Sequence, residues 1–168
     1  MKLLERVLSV TTAALLLMSL AFAQSSGDET FLSAAAQDGM AKLQWAYLAL
    51  QNAQNPQVKA FALQIVSDYG TAQNDLIYLA NQHGVLLPGN LDAKDRQTYE
   101  ALSQLHGAAF DKAYMKAMVN DSQKNFKQEA AKVNTAAIAE WANKTLPTLQ
   151  NDLKDAQKIA PTVGVPAH

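Results

Sequence analysis

NPQVKAFALQIVSDYGTAQNDLIYLANQHG, residues 55–84, decides the fold class. Asn55 can cap a helix through its side chain, and Pro56 is tolerated at the first helical position, where its missing amide has no partner to lose. Val58, Phe61, Ala62, Ile65, Tyr69, Ala72, Leu76 and Leu79 then recur at three- and four-residue steps, which lines them up on one face of a helix. The stretch stops at His83-Gly84. Glycine permits the left-handed turn that ends helices, and a histidine in the last turn suits the negative end of the dipole.

The same grammar extends in both directions. Upstream, Ser26 and Glu29 read as a capping box, followed by Phe31, Leu32, Ala35, Ala36, Leu43, Tyr47 and Leu50, predicting a first helix from Gly27 to Asn52. Downstream, Val85 to Leu91 with Pro88 and Gly89 is a loop, and Asp92 caps a short helix that ends at His106-Gly107. A longer helix from Ala108 to Ala131 carries Phe110, Tyr114, Met115, Met118, Val119 and Phe126. A last helical stretch starts near Thr135 and reaches Ile159, with a kink or fresh start expected at Pro147, whose ring removes an amide and clashes with the preceding turn. Residues 161–168 are expected to be a loose tail. No window alternates as a strand would, so the chain reads as all-α, with four long helices packed as a bundle and an additional short helix before the third long one. Phe61-Ala62 and Trp141-Ala142 fall at comparable points of their helices, as two related helical hairpins would leave them.

The N-terminus sets the compartment. Lys2 and Arg6 precede an uncharged run from Val7 to Leu20, and Ala21-Phe22-Ala23 offers small residues for cleavage before Gln24. This is the pattern of a signal peptide over residues 1–23, since about twenty apolar residues would be needed to span a bilayer. The mature chain, 24–168, is then one domain over residues 24–160 plus the tail, periplasmic or secreted, and bacterial in character. It holds 12 basic and 14 acidic residues, scattered, which excludes a nucleic-acid footprint. With no cysteine there are no disulfides, thiolate metal sites or lipid attachment at the cleavage point. No membrane span is expected after cleavage.

Asn55 with Val58-Lys59-Ala60-Phe61-Ala62, Val66-Ser67-Asp68, Leu105-His106-Gly107 with Phe110-Asp111 and Tyr114, Met118-Val119-Asn120-Asp121, and Leu146-Pro147 with Leu149 together make the chain resemble domain-of-unknown-function family 4142. These are exported ferritin-like proteins often labelled predicted outer-membrane proteins. The resemblance implies a ferritin-like four-helix bundle. It also implies inward polar positions: a Glu in the first helix, a His after the Asp in each of the two middle long helices, and another beyond the Leu-Pro. Those positions hold Lys42, Tyr69, Ser122 and Asp152 here.

Facing helices of such bundles aim ligands at one point, but this set is nearly free of them. Lys42 is a cation, neutral Tyr69 and Ser122 are poor ligands for a divalent ion, and Asp152 alone is an ordinary one. Periodicity places Tyr69, Ser122 and Asp152 on inward stripes. Lys42 adjoins the small-residue stripe Ala35, Gly39, Ala46 and Ala49. Two arrangements are open: a buried Lys42–Asp152 ion pair with hydrogen bonds from Tyr69 and Ser122, or Lys42 snorkelling outward with Asp152 solvated at the bundle edge.

The remaining candidates have plainer readings. His83 and His106 precede glycines at helix ends, and His168 is terminal; Asp68, Asp111 and Asp121 suit solvated faces or local ion pairs; Met40, Met115 and Met118 suit core filling. No nucleophile motif or phosphate loop is legible. The expectation is a non-enzymatic exported helical protein without cofactor or functional metal site, serving as a binding or envelope-support protein for a protein or small-molecule partner, with self-association open. The alternative is a periplasmic ferritin-like metal-binding or redox protein.

Overall fold

The structure, a computed structural model, describes the backbone of residues 2–120 and 124–166 and the side chains of residues 27–120 and 126–166. Within them the protein is all-α: α1 (Lys2–Asn52), α2 (Pro56–Gln82), α3 (Ala93–Ser103), α4 (Gly107–Asn120), α5 (Lys124–Ala130), α6 (Ala136–Ile159) and a 3-10 turn (Ala160–Val163). α2 lies against α1 and α6, and α4 packs on α1, α6 and the 3-10 turn. Among the described residues no helix is long and apolar enough to cross a membrane.

Several boundaries fall where local chemistry puts them. Asn55 Oδ1 accepts from Gln57 N at 2.8 Å to start α2, and Asp92 accepts from Asp95 N at 2.8 Å to start α3. Gly84 and Gly107 take the left-handed conformation, with φ of 65° and 59°.

Three boundaries differ. α1 runs through Ser26-Gly27 without a break, so the capping box there marks no helix end: no proline or turn interrupts the Leu- and Ala-rich residues before it. α6 continues through Pro147 with no fresh start, because buried Ile138, Trp141 and Ala142 before it and Leu149 and Ala156 after it hold both halves to one apolar surface. Nor are residues 160–165 a loose tail. Ala160 and Val165 are buried, Gly164 is left-handed at φ 76°, and Val165 N donates to Ala160 O at 3.0 Å. The long helix expected from Ala108 to Ala131 is described as α4 and α5, on either side of residues 121–123.

The echo between Phe61-Ala62 and Trp141-Ala142 extends far beyond those pairs. At the same shift of 80 positions, buried Val58, Tyr69, Leu76 and Ala80 correspond to buried Ile138, Leu149, Ala156 and Ala160. The helix endings correspond as well. Left-handed Gly84 matches Gly164, and Val85 N donates to Ala80 O at 2.8 Å as Val165 N does to Ala160 O. The helix starts are held alike from the partner hairpin. Asp111 of α4 accepts from the amides of Gln54 and Asn55 at 3.0 and 2.9 Å, just before α2. Asp28 of α1 accepts from the amides of Asn134 and Thr135 at 2.8 and 3.2 Å, and from the Thr135 hydroxyl, just before α6. Each of these carboxylates precedes a buried aromatic residue by three positions, Phe31 and Tyr114. The described chain is thus two helical hairpins of one plan, each clamping the other's turn.

The core divides into two clusters. One gathers Trp45, Phe61, Tyr69, Phe110, Tyr114 and Leu149; the other gathers Phe31, Leu32, Leu76, Ile138 and Trp141. The chain passes from one to the other between residues 36 and 41 on α1, 69 and 76 on α2, and 142 and 149 on α6. Polar side chains collect near this waist.

Candidate functional site

At the waist, Gln73 of α2 crosses to α1 and donates from Nε2 to the Ala36 carbonyl at 2.8 Å. Gly39 makes the crossing feasible: a Cβ there would sit 2.8 Å from Gln73 Cδ. Beside it is a pocket of about 20 Å³ bordered by Asp38, Gly39, Tyr69, Gln73 and Thr145, room for one water molecule.

One turn further along α1, Lys42 is only 2% exposed. Its Nζ donates to Asp38 Oδ1 at 3.4 Å and lies 4.5 Å from the centroid of the Trp45 ring. The Asp38 side chain is 39% exposed, but the ammonium itself stays buried, with the ring quadrupole supporting it. Lys42 therefore does not snorkel outward. Nor does it reach Asp152, since the ion pairs within 4 Å among the described residues give Lys42 to Asp38 and none to Asp152. The i,i+4 spacing of Asp38 and Lys42 was legible, and a neighbour on the same helix needs no tertiary approach to make the contact.

Asp152 is also 2% exposed, which excludes solvation at the edge. Its Oδ1 accepts from Gln64 Nε2 at 2.9 Å, and the same nitrogen donates to Asp155 Oδ2 at 3.1 Å. Gln64 thus straps α2 to two carboxylates one turn apart on α6. Asp152 Oδ2 is buried with no hydrogen-bond partner. The Asp152 carboxyl is pushed up to about 7, first by burial; the Gln64 bond acts against the shift, and the neighbouring Asp68 and Asp155 carboxylates act with it. Tyr114, on α4, is fully buried with its hydroxyl unpartnered, and burial followed by the Asp152 charge raises it far above the ordinary phenol range.

Of the four residues singled out from the sequence, Lys42, Tyr69 and Asp152 are buried, and Ser122 lies outside the described residues. Lys42 belongs to an α1 cluster with Asp38 and Trp45. Asp152 belongs to an α2–α6 cluster with Gln64, Asp68 and Asp155. The glutamine was missed because nothing in a polar residue at one helix position announces two acceptors eighty-eight and ninety-one residues away. Among the described residues no group of three or more His, Asp or Glu side chains is placed to hold a metal ion. The buried Lys42 ammonium is no ligand and repels a cation, while at Asp152 one oxygen is taken by the Gln64 amide and the other is left without a partner.

Comparison with curated proteins gives no match, and comparison with solved structures gives none either. The model of the family described as Domain of unknown function (DUF4142) matches residues 18–159, most of the chain, and the protein belongs to that family.

Proposed function

We propose that this protein is an exported, ferritin-like four-helix scaffold of the bacterial periplasm whose interior is neutralised by its own side chains, and that it acts by binding a partner or supporting the envelope rather than by catalysis. Export rests on the signal pattern of Lys2, Arg6, the apolar run to Leu20 and Ala21-Phe22-Ala23. The ferritin-like architecture is supported by the two hairpins of one plan, in which α1 and α2 answer to the α4–α5 stretch and α6.

The observation that carries the reading is Lys42. Where the resemblance puts a Glu, a 2%-exposed lysine holds its ammonium between Asp38 and the Trp45 ring. A fixed positive charge at that point opposes any metal that facing helices would otherwise share. The test is elemental analysis of the protein purified from its periplasmic fraction without a histidine tag. A metal-free protein is expected; iron, zinc or copper at one or more equivalents per chain would replace this reading with that of a metal-binding or redox protein.

A further inference from the structure

Asp152 on α6 is within electrostatic reach of Asp68 on α2, and the two have more acceptors than donors. Asp152 is 2% exposed, and Gln64 supplies its only described donor, to Oδ1. Oδ2 is left buried and unpartnered while the half-buried Asp68 carboxylate lies within reach of a side-chain hydrogen bond. Two carboxylates cannot hydrogen-bond each other unless one carries a proton.

Among the described residues, the groups around them offer no compensating charge. From α2 come Gln64 and Asp68, from α6 itself Asp155, and from α4 the buried Tyr114 hydroxyl; Lys112 and Lys116 of α4 and Lys154 and Lys158 of α6 are exposed. The 3-10 turn brings no ionisable side chain, and α5, with Lys127 and Glu129, meets α6 at its other half, where Phe126 touches Trp141. Among the described residues, none of the three carboxylates has a Lys, Arg or His within 4 Å.

We infer that Asp152 and Asp68 share one proton, held on Asp152 Oδ2 and donated to Asp68, and that this proton latches α6 to α2. The inference rests on the metal-free reading above, because a cation bound there would take the proton's place. Ionisation of Asp152 would put a third negative charge beside Asp68 and Asp155 and leave a desolvated oxygen with nothing to accept from. The latch is therefore closed in acid and weakened toward alkaline pH.

A carboxyl raised by folding favours the folded state in acid. The folded protein binds a proton up to about pH 7 that the unfolded chain releases near the ordinary carboxyl value of 3.8, so this contribution to stability is complete below 3.8 and fades as pH rises to about 7. One linked proton changes the unfolding constant by up to about tenfold per pH unit within that window.

The experiment is a 13C-carboxyl NMR titration of the intact protein, paired with urea unfolding from pH 4 to 8 of wild type and Asp152→Asn. One carboxyl is expected to titrate far above the others, and its resonance should vanish in the variant. The unfolding constant of wild type relative to the variant should climb at least tenfold across the window. If every carboxyl titrates below pH 5, or if the variant follows the wild-type pH dependence, the shared proton is overturned. Should Asp152→Asn fail to fold, the wild-type titration with Asp155→Asn for assignment decides alone. Elemental analysis of the same sample separates the two readings: a normal titration in metal-free protein removes only the latch, whereas bound metal removes the scaffold reading beneath it.

Discussion

Truncating Asp28 to Ala tests whether the hairpins are held by clamps rather than by helix packing alone. Asp28 is buried near the middle of α1, and its two oxygens accept from Asn134 N, Thr135 N and the Thr135 hydroxyl, 106 and 107 residues away. Thr135 makes no side-chain cap of its own, so α6 takes its N-terminal acceptor from α1. A hydrogen bond to a charged group contributes about 1.5–3 kcal/mol, and loss of a helix cap up to about 2 kcal/mol. The threonine hydroxyl can turn to water, so the two amides dominate and the expected loss is about 3 kcal/mol. Urea unfolding followed by circular dichroism measures it as a shift in midpoint at constant slope. Asp28→Asn keeps the shape but turns one acceptor into a donor facing an amide, and is expected to lose about half as much. Asp111→Ala removes the corresponding clamp on Gln54 and Asn55 and should cost a similar amount. Asp28 and the Gln54 turn are 26 residues apart along α1 and its end, roughly 39 Å at 1.5 Å per residue, so the double variant should be additive within about 0.5 kcal/mol. A loss below about 1 kcal/mol for Asp28→Ala would refute the clamp.

The waist, the C-terminal turn and the buried phenol each give a further test. Gly39→Ala gains helix propensity of about 1 kcal/mol but drives out Gln73 and its bond to Ala36 O; in a Gln73→Ala background the same change should stabilise by about that amount, and a double-mutant cycle without coupling would contradict the crossing. Gly164→Ala, at φ 76°, should cost about 1 kcal/mol and expose residues 160–165 to limited proteolysis; unchanged cleavage would show that Val165 does not anchor them. Tyr114→Phe deletes a buried hydroxyl with no partner, and thermal unfolding should show a neutral or slightly stabilised protein; a loss above about 1 kcal/mol would reveal a donor or acceptor on it.

Sequence and tertiary structure divide their roles here by the range of the interactions. Periodicity and caps are local: Asn55, Pro56, Asp92 and the glycines at 84 and 107 act within a turn, and the stripe from Val58 to Leu76 needs only the helical repeat to line up, so the all-α class and most helix starts could be read from the residues alone. The burial of Lys42, Tyr69 and Asp152 could also be expected, since each sits on or beside an apolar stripe. Which group each would meet could not. Lys42 takes Asp38 because that carboxylate is one turn away, whereas Asp152 meets Gln64 and Asp68 because of how α6 docks on α2. Pro147 stays inside α6, and residues 160–165 stay down, because packing on both sides outweighs a lost local hydrogen bond and the freedom of a chain end. Local propensity fixes where a helix can begin and end. Contacts between residues eighty or a hundred positions apart depend on the packing of whole helices, and only that packing selects a partner for a buried charge.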